Sequence, residues 1–150
     1  ITLVTISDGD KHFASAINEY IKRLWRWLIV HSIKPSKKSS PWECIQYDTD
    51  LIIEYIHKYP DSIIILLTKE WKERSTSQRS SCIQEYINHS RHILYIVWWP
   101  YWLDESRLNS YTHYQLSFWK ITMPHGLVKL VVLEQLYRCQ QIREGRSYHY

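Results

Sequence analysis

The sequence predicts an α/β fold, a parallel sheet with helices on both faces. Short, almost purely apolar runs alternate with amphipathic stretches along nearly the whole chain. The runs Ile63–Leu67 and Ile93–Val97 show no alternation of polar and apolar residues. Such runs suit strands covered on both faces. Prolines and polar clusters separate the runs, as connections between strands and helices require. A chain of 150 residues fits one domain, residues 1–150, around one core.

The elements follow in order. Ile1 to Ile6 is expected as a short buried strand. Asp10 is expected to cap a helix carrying Phe13, Ala16, Ile17, Tyr20, Ile21 and Leu24 at helical spacing. Leu28 to Ile33 is apolar and β-branched, a second strand. Pro35 to Pro41 is polar with a proline at each end, a loop whose Lys37–Ser40 stretch is expected to be mobile. Thr49 or Asp50 then opens a helix through Leu51, Ile52, Tyr55 and Ile56, ending before Pro60. Ser62 to Leu67 is the third strand, and Thr68 to Ser77 a loop. A helix from about Ser77 to Asn88 precedes the strand Ile93–Val97. A short polar helix is predicted near Asp104–Asn109, and a short strand at Tyr114–Phe118. Pro124 suits the first turn of the last helix, which runs to about Ile142. Gly145 then releases the tail from Arg146 to Tyr150.

Composition excludes several classes. Apolar residues make up 45% and charged residues 23%, ordinary for a globular chain. No apolar run approaches the roughly 20 residues needed to span a bilayer. The apolar start is too short for a signal peptide and lacks a basic segment before it, and the missing initiator Met suggests that a residue or two precede Ile1. Cys44, Cys82 and Cys139 are far apart and form no CxxC pair, so a cytoplasmic location without structural disulfides or zinc is expected. The net charge of +4 is a mild bias toward anionic partners.

In open α/β sheets, ligands bind at the carboxyl ends of strands. Three such ends draw notice: after Leu67, after Val97 and after Phe118. The last leads into Thr122-Met123-Pro124-His125. From Trp119 onward, five basic residues (Lys120, Lys129, Arg138, Arg143, Arg146) face two acidic ones (Glu134, Glu144), most of the chain's excess charge. With Tyr148, His149 and Tyr150, this segment suits RNA phosphates and stacking on a base. A solvated basic helix with a frayed tail reads equally from the residues alone. His89 and His92 lack a carboxylate or thiolate at ligand spacing, which speaks against a metal. His125 at a helix start suits a neutral donor to an anion, or a simple cap. The sequence contains no Walker loop, no GxGxxG and no Ser-His-Asp order.

The run Leu116 to Arg138, LSFWKITMPHGLVKLVVLEQLYR, resembles the RlmH (YbeA) family. The shared pattern is a short strand, a Thr-x-Pro-His turn, and a helix with a basic residue and Glu-x-x-Tyr-Arg. The Tyr148-His149 pair near the end matches as well, as do the opening ITLVTI and Asn18 to Leu24. The segment from about Trp27 to Asp61 is similar only in layout. The resemblance implies a SPOUT-class fold whose C-terminal part is threaded into a trefoil knot, and a homodimer. It implies methylation of N3 of a pseudouridine in 23S ribosomal RNA, on assembled ribosomes, from S-adenosylmethionine (SAM). A SPOUT methyltransferase acting on another RNA is the neighbouring reading. The resemblance also implies cofactor contacts from Leu67, from Trp98, Trp99 and Trp102, and from Phe118, Trp119, Lys120, Ile121, Thr122 and Met123. Substrate handling falls to His125, Arg138, Tyr148 and His149. Arg138 would hold phosphate or a carboxylate, and His149 or a water would take the N3 proton.

One departure stands out. Trp98, Trp99 and Trp102 replace the glycines of the family's Gly-Gly-x-x-Gly loop, and Trp71 and Trp25 also stand at family glycines. The chain has 8 Trp and only 3 Gly, where about ten glycines are usual for this length. Two readings account for this. Either the lineage reads the codon UGA as glycine and the sequence was written with a code that reads it as tryptophan, or the chain is a divergent relative with true tryptophans. Trp27, Trp42 and Trp119 follow the same logic.

Overall fold

The computed structural model describes residues 1–7, 9, 11–68, 78, 81, 83–85, 92–97, 103–116 and 123–146. Five strands form one parallel sheet: β1 (Thr2–Ile6), β2 (Ile29–Ile33), β3 (Ile63–Leu67), β4 (Ile93–Val97) and β5 (Tyr114–Leu116). Their spatial order is β2-β1-β4-β3-β5, and every pairing is parallel. The helices are α1 (Ala14–Leu24), α2 (Pro41–His57), α3 (Glu105–Asn109) and α4 (His125–Arg143). Residues 78, 81 and 83–85 are also helical, within the stretch expected from Ser77 to Asn88.

The uninterrupted apolar runs lie in the middle of the sheet. Every residue of β1, β3 and β4 is buried. Successive side chains point to opposite faces, so each strand feeds two cores. Leu3, Ile63, Ile65, Ile93 and Tyr95 pack under α1 and α4, against Ile17, Leu24, Leu133 and Leu136. Val4, Ile64, Leu66, Leu94 and Ile96 pack on the other face, with Ile52, Ile56, Leu103 and Leu108. Each fully buried aliphatic side chain contributes about 1.5–3 kcal/mol. The edge strand β2 is different: Ile29 and His31 are exposed, as one face of an edge strand can be.

Three boundaries differ from expectation. The first helix begins at Ala14 with Phe13 at its N-cap and no side-chain cap; Asp10, the expected cap, lies outside the described residues. The second helix begins eight residues before Thr49. Ser40 is its N-cap and accepts a hydrogen bond from the Glu43 amide at 3.2 Å, with Pro41 in the first turn. That is a Ser-x-x-Glu start with proline at the position where its missing N–H costs nothing. Thr49 therefore sits in mid-helix, fully buried. Pro124 stands just before the last helix, at its N-cap, rather than within its first turn.

The loop expected to be mobile is tied to α2. The Ser36 amide donates to Asp48 Oδ1 at 3.0 Å, and the Lys38 ammonium lies 4.2 Å from the centre of the Tyr47 ring. Gly145 ends α4 with φ of +68°, a conformation glycine adopts without penalty. Its amide bonds to the Ile142 carbonyl at 3.1 Å and that of Arg146 to the Gln141 carbonyl at 3.0 Å. This pair of bonds is a Schellman stop. Cys44 and Cys139 are free thiols. Among the described residues no helix is long and apolar enough to cross a membrane. The threading of a knot would involve segments outside the described residues.

Candidate active site at the carboxyl ends of the strands

Register fixes where the candidate loops start. Leu66 pairs with Ile96, and Leu67 pairs with Leu116. Val97 pairs with Thr5 on the far side of β4. Leu67, Val97 and Leu116 therefore end three adjacent strands at one level. At the usual 4.8 Å between strands, the outer two lie about 10 Å apart. The three strand ends singled out from the sequence thus open onto one pole of the sheet.

Of the expected cofactor residues, Leu67 and Met123 are described. Leu67 closes β3 and is buried, and the Thr68 amide continues the ladder to the Leu116 carbonyl at 2.9 Å. The Thr68 hydroxyl is buried and has no hydrogen-bond partner. Leaving such a group unpaired costs roughly 1–3 kcal/mol, which marks a place for a polar ligand group. Met123 is half-buried just ahead of α4. Trp98, Trp99, Trp102, Phe118, Trp119, Lys120, Ile121 and Thr122 lie outside the described residues, as do Tyr148 and His149.

The structure separates two of the four residues expected to handle substrate. His125 is the first residue of α4, and its Nε2 is shielded from solvent. Arg138 lies 13 residues further along the same helix, about 20 Å at 1.5 Å per residue. There it pairs with Glu134, one turn back, with both side chains partly buried. The direction of α4 is set by its contacts. Lys129 Nζ lies 3.4 Å from Ser32 Oγ, near the carboxyl end of β2. Arg143 stacks over the Trp27 ring at 5.1 Å, ahead of the amino end of β2. The helix thus runs from the carboxyl pole to the amino pole. One protomer's His125 and Arg138 face different ends of the sheet.

Lys129 is the residue sequence reasoning missed. It reads as part of a basic surface, yet it is 5% exposed. Its ammonium, Ser32 and Thr5 form a chain of polar contacts, Ser32 and Thr5 being 3.3 Å apart. A usable signal existed: Gly126, Lys129, Val132, Leu133, Leu136 and Cys139 are the buried face of α4, and position 129 falls on that helical period.

A second polar cluster roots the segment that follows β4. Asp104 caps α3, and hydrogen bonds from Ser106 and Gln46 hold its carboxyl below the usual carboxylate range. The described tryptophans sit on ordinary backbone. Trp25 has φ of −52° and is 68% exposed, so position 25 does not demand glycine's left-handed freedom. Trp27 packs beside the core and Trp42 is exposed. Trp71 and Trp119 lie outside the described residues.

Comparison with known proteins agrees with this geometry. The profile of a family described as predicted SPOUT methyltransferase matches residues 1–149. A Bifidobacterium adolescentis protein named Ribosomal RNA large subunit methyltransferase H is 30% identical, over 99% of this chain and 98% of the relative. Proteins of the same name from Streptococcus suis and Bacteroides fragilis are 29% and 25% identical, over 99% and 94% of this chain and 98% and 92% of the relatives.

Proposed function

Because the chain belongs to the predicted SPOUT methyltransferase family, we propose that it methylates large-subunit ribosomal RNA from SAM, at N3 of a pseudouridine, on assembled ribosomes. The observation that carries this reading is the alignment of Leu67, Val97 and Leu116 at one pole, where α4 also begins. The names of the near-full-length relatives supply the substrate class.

The residues present fit the cofactor. The unpaired Thr68 hydroxyl stands beside Leu67 at the pole where SAM would bind. Leu67, the 98–102 segment and residues 118–123 would hold it. When bound, it supplies an activated methyl group, so the chemical demand on the protein is modest. The protein has to align the base nitrogen with that methyl, exclude water and remove the N3 proton. His125 is placed at the carboxyl pole to orient the base as a neutral donor. His149, or a water it holds, takes the proton.

The reach of the chain supports a homodimer. The Arg146 amide bonds to the Gln141 carbonyl, so the tail leaves near position 141. His125 is 16 residues away along the helix, about 24 Å. Three further residues, to His149, span at most about 10 Å. Tyr148 and His149 therefore fall short of their own carboxyl pole, and Arg138 with them. A second copy brings these groups to the pocket in trans.

The test is methyl transfer to 70S ribosomes and to free ribosomal RNA, with mass spectrometry of the digested nucleosides. N3-methylpseudouridine formed on ribosomes supports the reading, and no transfer to either substrate overturns it. A His149→Ala protein with unchanged methylation would remove His149 from the mechanism. One feature favours a second reading, a catalytically impaired SPOUT-fold protein that binds RNA or ribosomes: the tryptophans at 98, 99 and 102. Such a protein would bind ribosomes without binding SAM.

A further inference from the structure

The loop after β4 has two roots. One is Val97, held in the sheet. The other is Asp104, and it is held by α2. The Asp104 amide donates to Thr49 Oγ1 at 2.9 Å, and Thr49 is fully buried. Gln46 donates to Asp104 Oδ2 at 3.3 Å. Arg107, one turn into α3, donates to Gln46 Oε1 at 2.9 Å and to Asp50 Oδ1 at 2.6 Å. Positions 46, 49 and 50 share one face of α2. Leu103 and Leu108 are buried on either side of this polar contact, in the core that Ile52 and Ile56 complete.

We propose that Thr49 is a positioning residue for the cofactor, fixing Asp104 so that the 98–102 segment is held between two immobile roots. The inference rests on the reading of that segment as part of the SAM site. Its physical basis is preorganisation: a loop whose ends are fixed loses less freedom when a ligand binds its backbone. The exposed pairs at Asp50 and Arg107 add little to this, because solvent screens them. The buried hydroxyl carries it. An aliphatic side chain at position 49 leaves the Asp104 amide without its acceptor. The root can then recover a hydrogen bond only by shifting.

Thr49→Val and Thr49→Ser test the role, with calorimetric SAM binding, steady-state kinetics on ribosomes, and hydrogen exchange of the Asp104 amide. Thr49→Val is expected to raise the SAM Kd and KM about tenfold, as a displaced binding element does. The kcat at saturating SAM and the KM for ribosomes should stay within about twofold in the same variant, because Thr49 touches no reacting atom. Thr49→Ser, which keeps the hydroxyl, should restore wild-type values. Faster Asp104 exchange in Thr49→Val with an unchanged SAM Kd overturns the role and leaves the cofactor reading intact. A wild-type chain that binds no SAM overturns the cofactor reading, and this role with it.

Discussion

Lys129 on α4 reaches across to Ser32 on β2, Nζ to Oγ at 3.4 Å, from a position that is 5% exposed. The side chain's aliphatic stem lies among Val132, Leu133 and the sheet, and only its tip meets polar atoms. Lys129→Met keeps most of the stem's volume and loses one hydrogen bond, an expected cost of about 1 kcal/mol. Lys129→Ala also empties the space the stem filled, so about 2–4 kcal/mol is expected. Urea unfolding of both variants checks the order. Equal stability of Lys129→Ala and wild type would show that the stem does not pack as described.

Ser40 defines the start of α2. Its hydroxyl accepts from the Glu43 amide, one of the donors left open at any helix start. Ser40→Ala should destabilise the protein by about 1 kcal/mol, and Ser40→Gly by only a few tenths. Thermal unfolding distinguishes the two. A Ser40→Ala protein as stable as wild type would place the helix start elsewhere.

How far these features could be read in advance depends on what the signal was. The apolar runs of β1, β3 and β4 were legible because both faces of the central strands are covered, leaving no polar residue to blur them. The start of α2 was missed because its first turns, Trp42 to Tyr47, are exposed or half-buried and carry no apolar stripe. The only local sign there was Ser40-Pro41 followed by Glu43. Lys129 was missed for the opposite reason: its charge suggested water, while its helical position put it inside. The three strand ends of the site were legible, because their position follows from the fold class. The separation of His125 from Arg138 was not, because it depends on the direction of α4 across the sheet.

Gly145 ends α4 at φ +68°, and a Cβ built there meets no atom within 4 Å. Any penalty for alanine is thus conformational and not steric crowding. Gly145→Ala should cost about 1 kcal/mol, the usual difference for an L-residue forced into the left-handed region. Gly145→Asn should cost less. Chemical denaturation reads both. If alanine were neutral, the Schellman stop would be dispensable.

His92 titrates in a way that ties stability to pH. It sits between Thr2 Oγ1, at 3.0 Å from its Nε2, and the stacked ring of Tyr59 at 5.3 Å. Burial first, and the nearby N-terminal ammonium second, push its pKa below the usual value of 6.5. The folded state thus binds the proton less well than the unfolded chain. The contribution is fully present above about pH 6.5 and is lost as pH falls through the lower folded value. His92→Phe keeps the ring against Tyr59 and removes the titration. Between pH 7.5 and 5.5 its urea midpoint should fall less than that of wild type. Parallel falls in the two proteins would mean that His92 does not contribute this slope.

The tryptophans at 98, 99 and 102 set the last expectation. They fall within five residues, between Val97 in the sheet and Asp104 under α2, so the segment cannot widen by moving its roots. An indole is the largest side chain, and family glycines at these places let backbone approach a ligand closely. A Trp98→Gly/Trp99→Gly/Trp102→Gly protein should therefore bind SAM at least about tenfold more tightly than the chain as written, a gain of roughly 1.4 kcal/mol. Its stability should not rise, because each glycine adds freedom to the unfolded chain. Tighter binding would then come from space at the site and not from a firmer fold. Equal affinity by calorimetry would refute the steric argument. Mass spectrometry of the protein from its native source separates the two origins of these residues. Glycine masses at 98, 99 and 102 establish a reassigned codon, and intact tryptophans establish a relative whose cofactor loop has diverged.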